Sequence, residues 1–228
     1  MKTKLLAFLL LAPVAVLAAS FEGKVNFKLN AGRAPAEQIG YQVKGGKIRL
    51  DLVGQTEIGG IIMDVAKKQT LVIMDAQRMY MVMPMADVAA QAAAAQPGEA
   101  TLEKTGDREK ILGYDAVKYV STHAGKKTDL WLAEGLGKFM AMESLQPMGG
   151  GARASQPWER ALAGLDLFPL RIVSYDTAAK EEFRLEATAI EKKSLPDALF
   201  APPAGYQSLD MGGMMPGMMP GGFPGAKR

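Results

Sequence analysis

Ile39, Tyr41 and Val43 alternate with polar residues, and Ile48, Leu50 and Leu52 do the same after Gly45-Gly46. Successive strand side chains point to opposite faces, so each run reads as a strand with one apolar and one polar face. Gly-Gly between the runs predicts a hairpin turn, because both central residues of a primed turn need positive φ. Val25, Phe27 and Leu29 repeat the alternation upstream and predict a first strand over 21–29.

The next segments lose the alternation. Residues 58–65, 70–75 and 79–83 are apolar on both parities and are separated by the turn-like 66–69 and 76–78. Such strands need both faces covered, by helices, another layer or a ligand, and a strongly curved sheet meets that need. Further strands are predicted around 109–123 with a bend at Gly113, at 128–132, and in a last hairpin at 170–176 and 182–190. Helices are predicted over 85–95, 134–145 and 157–165, with Gly149-Gly150-Gly151 parting the last two. The sum is a mainly β (α+β) chain of about eleven strands and three short helices around one large curved antiparallel sheet. The helices fall between groups of strands, which argues against a doubly wound parallel fold.

The two ends stand apart from this domain. Lys2 and Lys4, an apolar run over 5–17 and the small residues near Ala18-Ala19 describe a secretory signal peptide over 1–19. The run of 13 apolar residues is short of the about 20 that span a bilayer. A domain over 20–208 follows, and then a tail over 209–228. Export of this kind predicts a periplasmic protein. The chain has no cysteine, so its core alone must stabilise it. Without the two leader lysines, 25 basic residues face 24 acidic ones, which gives no basic surface for nucleic acid.

A resemblance to a known family enters through several segments. They are Tyr41-Gln42-Val43-Lys44-Gly45-Gly46-Lys47-Ile48-Arg49-Leu50-Asp51, Ile61-Ile62-Met63-Asp64 with Lys67-Lys68, Gly113-Tyr114-Asp115-Ala116 with Trp131 downstream, and Phe200-Ala201-Pro202-Pro203-Ala204-Gly205-Tyr206. In order and spacing they resemble an uncharacterised exported bacterial family of the domain-of-unknown-function 4412 type, related to the LolA/LolB lipoprotein-handling fold. The resemblance implies a half-open antiparallel barrel, an apolar concave side covered by short helices, and a hollow that takes acyl chains or senses a mislocalised lipoprotein.

Candidate chemistry is sparse. Met79, Met81, Met83 and Met85 recur at every second position and share one face of a strand. Flexible, polarizable thioethers suit a surface that moulds around an acyl chain, although an ordinary core strand has the same pattern. Trp131 packs in the core or rims the hollow, and is a ligand-binding candidate beside the methionines. The tail carries Met211, Met214, Met215, Met218 and Met219 among glycines and prolines, with Met-Met-Pro-Gly twice in succession. It is expected to stay disordered, and soft sulfur on a flexible chain is a candidate Cu(I) ligand set. His123, the one histidine, reads as a turn residue, and Asp64 and Asp75 as turn aspartates. Arg49 and Asp51 read as a solvated cross-strand charge set. No catalytic constellation is present, so enzymatic activity is not expected. The reading is a periplasmic protein that binds an apolar small molecule or acylated protein. The alternatives are Cu(I) handling by the tail and a sensory envelope domain with a protein partner; nucleic acid and a membrane-spanning role are excluded.

Overall fold

The computed structural model describes residues 21–32, 34–53, 58–85, 101–140, 156–162 and 165–209. The leader 1–19, the stretch 86–100 and the tail beyond 209 lie outside them. Twelve strands form one sheet: β1 (Gly23–Ala31), β2 (Glu37–Lys44), β3 (Lys47–Val53), β4 (Gly60–Asp64), β5 (Gln69–Met74), β6 (Met79–Pro84), β7 (Thr101–Ile111), β8 (Tyr114–His123), β9 (Lys126–Ala133), β10 (Phe168–Tyr175), β11 (Glu181–Lys192) and β12 (Gln207–Leu209). A short helix, α1 (Pro157–Leu162), precedes β10, and a single 3₁₀ turn spans Asp197–Phe200.

The strand order is β12-β6-β5-β4-β3-β2-β1-β11-β10-β9-β8-β7. Two antiparallel meanders, β1 to β6 and β7 to β11, meet where β1 pairs β11, with Val25 opposite Ile190 and Leu29 opposite Leu185. The sheet does not close into a barrel, because β12 and β7 remain at its two edges. Gly45 and Gly46 form the β2–β3 turn at φ of +54° and +77°, the left-handed geometry that the Gly-Gly pair predicted.

Three features differ from the sequence reading. There are twelve strands, and the additional one, β12, runs parallel to β6 with Ser208 opposite Tyr80. β7 begins at Thr101, well before the expected 109, because an exposed edge strand of Thr, Glu, Lys and Asp carries no apolar alternation to reveal it. Residues 134–140 are not helical: Gly135 and Gly137 adopt φ of +83° and +78°, which no α-helix accommodates. They form a loop that buries Leu136 and Phe139.

The register assigns the two faces. Along one, Met81 opposes Val72, Val72 opposes Ile61, Ile61 opposes Leu50 and Leu50 opposes Tyr41. The same face continues through Leu185, Ile172, Leu130 and Tyr119. It is the inner face of a curved sheet. Tyr41 on β2 and Phe168 on β10 are three strand spacings apart, about 14 Å in a flat sheet. Their ring centroids nevertheless lie 5.4 Å apart, in edge-to-face contact.

The outer face of the first meander is also apolar, which explains the strands without alternation. Ile62, Leu71 and Ile73 point outward there and are covered by Leu195, Leu199 and Phe200. The segment from Leu195 to Tyr206 crosses that face as a strap before entering β12. Arg49 holds it by donating from Nη1 to the Leu199 carbonyl at 2.9 Å, and the Tyr206 hydroxyl donates to Asp75 at 2.8 Å. Arg49 and Asp51 are therefore not a solvated cross-strand set. They are bonded along one strand at 2.6 Å, and Gln42 Nε2 donates to the other Asp51 oxygen at 2.6 Å.

Candidate functional site

The inner face has a filled centre and a recess near one edge. At the centre, Phe27, Tyr41, Phe139 and Phe168 form a cluster with centroids between 5.4 and 6.5 Å, and Trp158 of α1 joins it 6.5 Å from Phe139. The covering pieces are the loop 134–140 and α1. Pro157 suits the first turn of a helix, where its missing N–H has no partner to lose, and Trp158 follows it into the core. The cover is tied by a hydrogen bond from the Met140 backbone N–H to the Tyr41 hydroxyl at 3.1 Å. Burial raises the Tyr41 hydroxyl well above the ordinary tyrosine range, and the Met140 N–H pulls weakly the other way. Tyr41 thus stays neutral and serves as an acceptor.

Met79, Met81 and Met83 lie together on the inner face of β6, next to Met74, Val72 and Thr70 of β5. Met81 is 2% exposed, while Met79 and Met83 are half-buried. Met85 follows the strand, its backbone N–H donating to the Lys68 carbonyl at 2.9 Å. The Thr70 hydroxyl, between Met63 and Met83 in register, is buried without a hydrogen-bond partner among the described residues.

Trp131 is not with them. Leu130 and Leu132 face inward, so Trp131 faces outward between Lys118 and Arg171. The Lys118 ammonium stands 5.9 Å from its ring, and Arg171 forks onto Glu109 at 2.8 and 3.0 Å and reaches Glu186 at 2.9 Å. Trp131 sits in an outer layer of charge pairs and does not share a surface with the methionines.

Between β7, β8 and the loop after β9 lies a cavity of about 400 Å³, lined by Val117, Tyr119, Leu132 and Leu167 together with Lys104, Arg108, Gly113, Tyr114, Asp115 and Glu134. Val117 opposes Leu132 and Tyr119 opposes Leu130, so its floor belongs to the inner face. Its volume falls toward the lower end of the about 300–1,000 Å³ typical of small-molecule sites. Leu132 is buried and the charged residues are exposed, giving an apolar floor under a polar rim.

A family model described as Domain of unknown function (DUF4412) matches residues 21–206. The chain belongs to DUF4412. The resemblance read from the sequence thus holds at the level of this family, over a span that runs from β1 through the strap and stops before β12. No curated protein matches the chain. Among solved structures it is similar to an uncharacterized conserved protein from Thermus thermophilus, at 12% identity and a TM-score of 0.49, over 85% of this chain and 91% of that one. A second is MucB from the Pseudomonas aeruginosa MucA/MucB complex, at 14% identity and a TM-score of 0.47, over 84% of this chain and 59% of that one. A third is the LolA superfamily protein NE2245 from Nitrosomonas europaea, at 15% identity and a TM-score of 0.33, over 81% of this chain and 91% of that one.

In this DUF4412 chain the sequence reading missed Lys104 and Arg108, because the part of β7 before residue 109 that carries them was not foreseen. Among the described residues there is no group of three or more His, Cys, Asp or Glu that could hold a metal, and no helix long and apolar enough to cross a membrane. The candidate Cu(I) ligands Met211, Met214, Met215, Met218 and Met219 lie outside the described residues. His123 ends β8 before a turn, and Asp64 caps its own turn by accepting from the Lys67 N–H at 3.0 Å, as expected of turn residues.

Proposed function

We propose that this DUF4412 protein is a non-enzymatic binding protein of the bacterial periplasm, holding an acyl chain, a lipid or a lipidated protein on the inner face of its curved sheet. The observation that carries the reading is the cavity whose floor is that inner face, with Val117, Leu132 and Leu167 among its lining. The sheet is backed there by a loop and a six-residue helix rather than by a second sheet. A cover of this kind, packed through side chains and bonded from the Met140 N–H to Tyr41, yields to an entering chain more readily than a strand ladder would. Burying ten methylenes contributes on the order of 8 kcal/mol before ordering costs, enough for a useful affinity. The leader-like pattern over 1–19 supports the compartment.

A fluorescent fatty-acyl probe tests this reading. Saturable binding, displaced by an unlabelled acyl chain and accompanied by a negative heat-capacity change, is the expected result. Binding that never saturates would overturn it.

A second reading rests on the doubled Met-Met-Pro-Gly of the tail: Cu(I) captured by thioether sulfur. Competition against a Cu(I) chelator decides it. Loss of affinity on ending the chain at Asp210 supports the reading, and unchanged affinity removes it.

A further inference from the structure

Lys104 and Arg108 stand on the outermost strand, opposite Tyr119 and Val117 respectively. In a regular strand, residues four apart are separated by about 14 Å. Here the ladder shifts between them, so that four steps on β7 match two on β8, and both cations sit over a span of about 7 Å of the partner strand. The irregularity is pinned by its own side chain. The Thr105 hydroxyl donates to the Lys118 carbonyl at 3.0 Å and accepts from the Asp107 N–H at 3.2 Å. Bulges of this kind re-aim side chains at an edge, and this one gathers two positive charges at the cavity.

These two cations differ from those on the outer face of the neighbouring strands. On the outer face Lys118 pairs with Asp129 at 3.0 Å, Arg171 with Glu109 at 2.8 Å and Arg184 with Glu181 at 2.6 Å. Lys104 contacts the Tyr119 ring, its ammonium 6.0 Å from the centroid, and neither it nor Arg108 has an ion-pair partner among the described residues. Of the acids in the lining, Asp115 faces Lys110 at 3.6 Å, which leaves Glu134 against two cations. Val117 and Leu132 lie next to Arg108 in register, and Leu167 lines the same cavity.

We propose that Lys104 and Arg108, drawn together by the β7 bulge above an apolar floor, bind the anionic headgroup, carboxylate or phosphate, of an acyl ligand whose chain enters the cavity. The inference rests on the acyl-binding reading and adds the charge of the ligand's head. A fork of guanidinium donors with an ammonium beside it suits either oxyanion, and a tyrosine ring at the same site covers the first methylenes.

The experiment measures binding to the full chain of hexadecanoate, hexadecyl phosphate, hexadecanol and inorganic phosphate, each below its aggregation concentration. The two anionic chains should bind roughly ten-fold or more tightly than the alcohol, a difference of about 1.4 kcal/mol. That preference should shrink with added salt, as for exposed charges, and should disappear in the K104Q/R108Q double variant while hexadecanol affinity is unchanged. The tighter of the two anions names the source, fatty acid or phosphate-bearing lipid. Equal binding of the alcohol, or an unchanged preference in the folded double variant, overturns the headgroup assignment and leaves the apolar site standing. Inorganic phosphate competing as well as the chains also overturns it, in favour of a bare ion site. Failure of all three chains overturns both readings. Should the double variant not fold, the salt dependence of the wild-type preference still decides.

Discussion

The ring of Tyr41 on β2 packs edge-on against that of Phe168 on β10 at 5.4 Å, although β1 and β11 run between their strands. Only a sheet curled toward that face brings them together, and their contact is one of those that hold the curl. Replacing Phe168 with alanine should cost ~3–5 kcal/mol, read as a lowered urea midpoint. Tyr41→Phe keeps the ring and removes the acceptor for the Met140 N–H. It should cost ~1 kcal/mol and loosen the loop 134–140, seen as faster amide exchange there.

Met81 and Met83 share the inner face but not the same exposure. Met81→Asp places a charge in a site that is 2% exposed and should unfold the domain. Met83 is half-buried, so Met83→Asp should leave the circular dichroism spectrum native. If β6 lines the ligand path, the same variant weakens acyl-probe binding by about ten-fold. A folded Met83→Asp protein with unchanged probe affinity would remove β6 from the path.

The Arg171 guanidinium forked onto Glu109 holds that carboxyl below its ordinary value of 4.5. A lowered folded-state pKa contributes stability that is present above the unfolded value and is lost as pH falls through the folded one. Glu109→Gln should therefore destabilise by roughly 0.5–1 kcal/mol at pH 7, a modest figure because the pair is largely solvent-screened. The difference from wild type should fade below pH 4.5. Urea midpoints as the pH is lowered measure it, and a difference that did not shrink at all on acidification would show that packing, not charge, had been lost.

Phe200 is the anchor of the strap, 6% exposed against Ile62, Leu71 and Ile73. Phe200→Ala should cost ~3–5 kcal/mol and uncover those residues, detected as increased binding of a hydrophobic dye. A stable, dye-silent variant would mean that the strap adds little to the outer face.

Most of the sheet was legible in alternation. Ile39-Tyr41-Val43 and Ile48-Leu50-Leu52 do face inward as the pattern requires, and the loss of alternation at Ile61-Ile62-Met63 did mark strands covered on both sides. What covers the outer side was not legible, since Leu195, Leu199 and Phe200 lie more than 120 residues downstream in a segment rich in proline. Trp131 was ambiguous because Leu130, Trp131 and Leu132 are all apolar, and parity alone cannot choose between them. The register does, by setting Leu130 against Ile172. The predicted helix beginning at Glu134 failed on Gly135 and Gly137, whose left-handed backbone outweighed the local helix formers. Lys104 and Arg108 escaped notice because polar edge strands carry no hydrophobic period, and a bulge that brings two charges together has no short sequence signature.

Native mass spectrometry of the protein, purified without detergent and then incubated with acyl lipids, tests the apolar-ligand claim most directly. The inner-face site predicts a stoichiometric added mass of a fatty acid, phospholipid or lipopeptide, retained through mild activation. A bare protein that stays bare after incubation would contradict it.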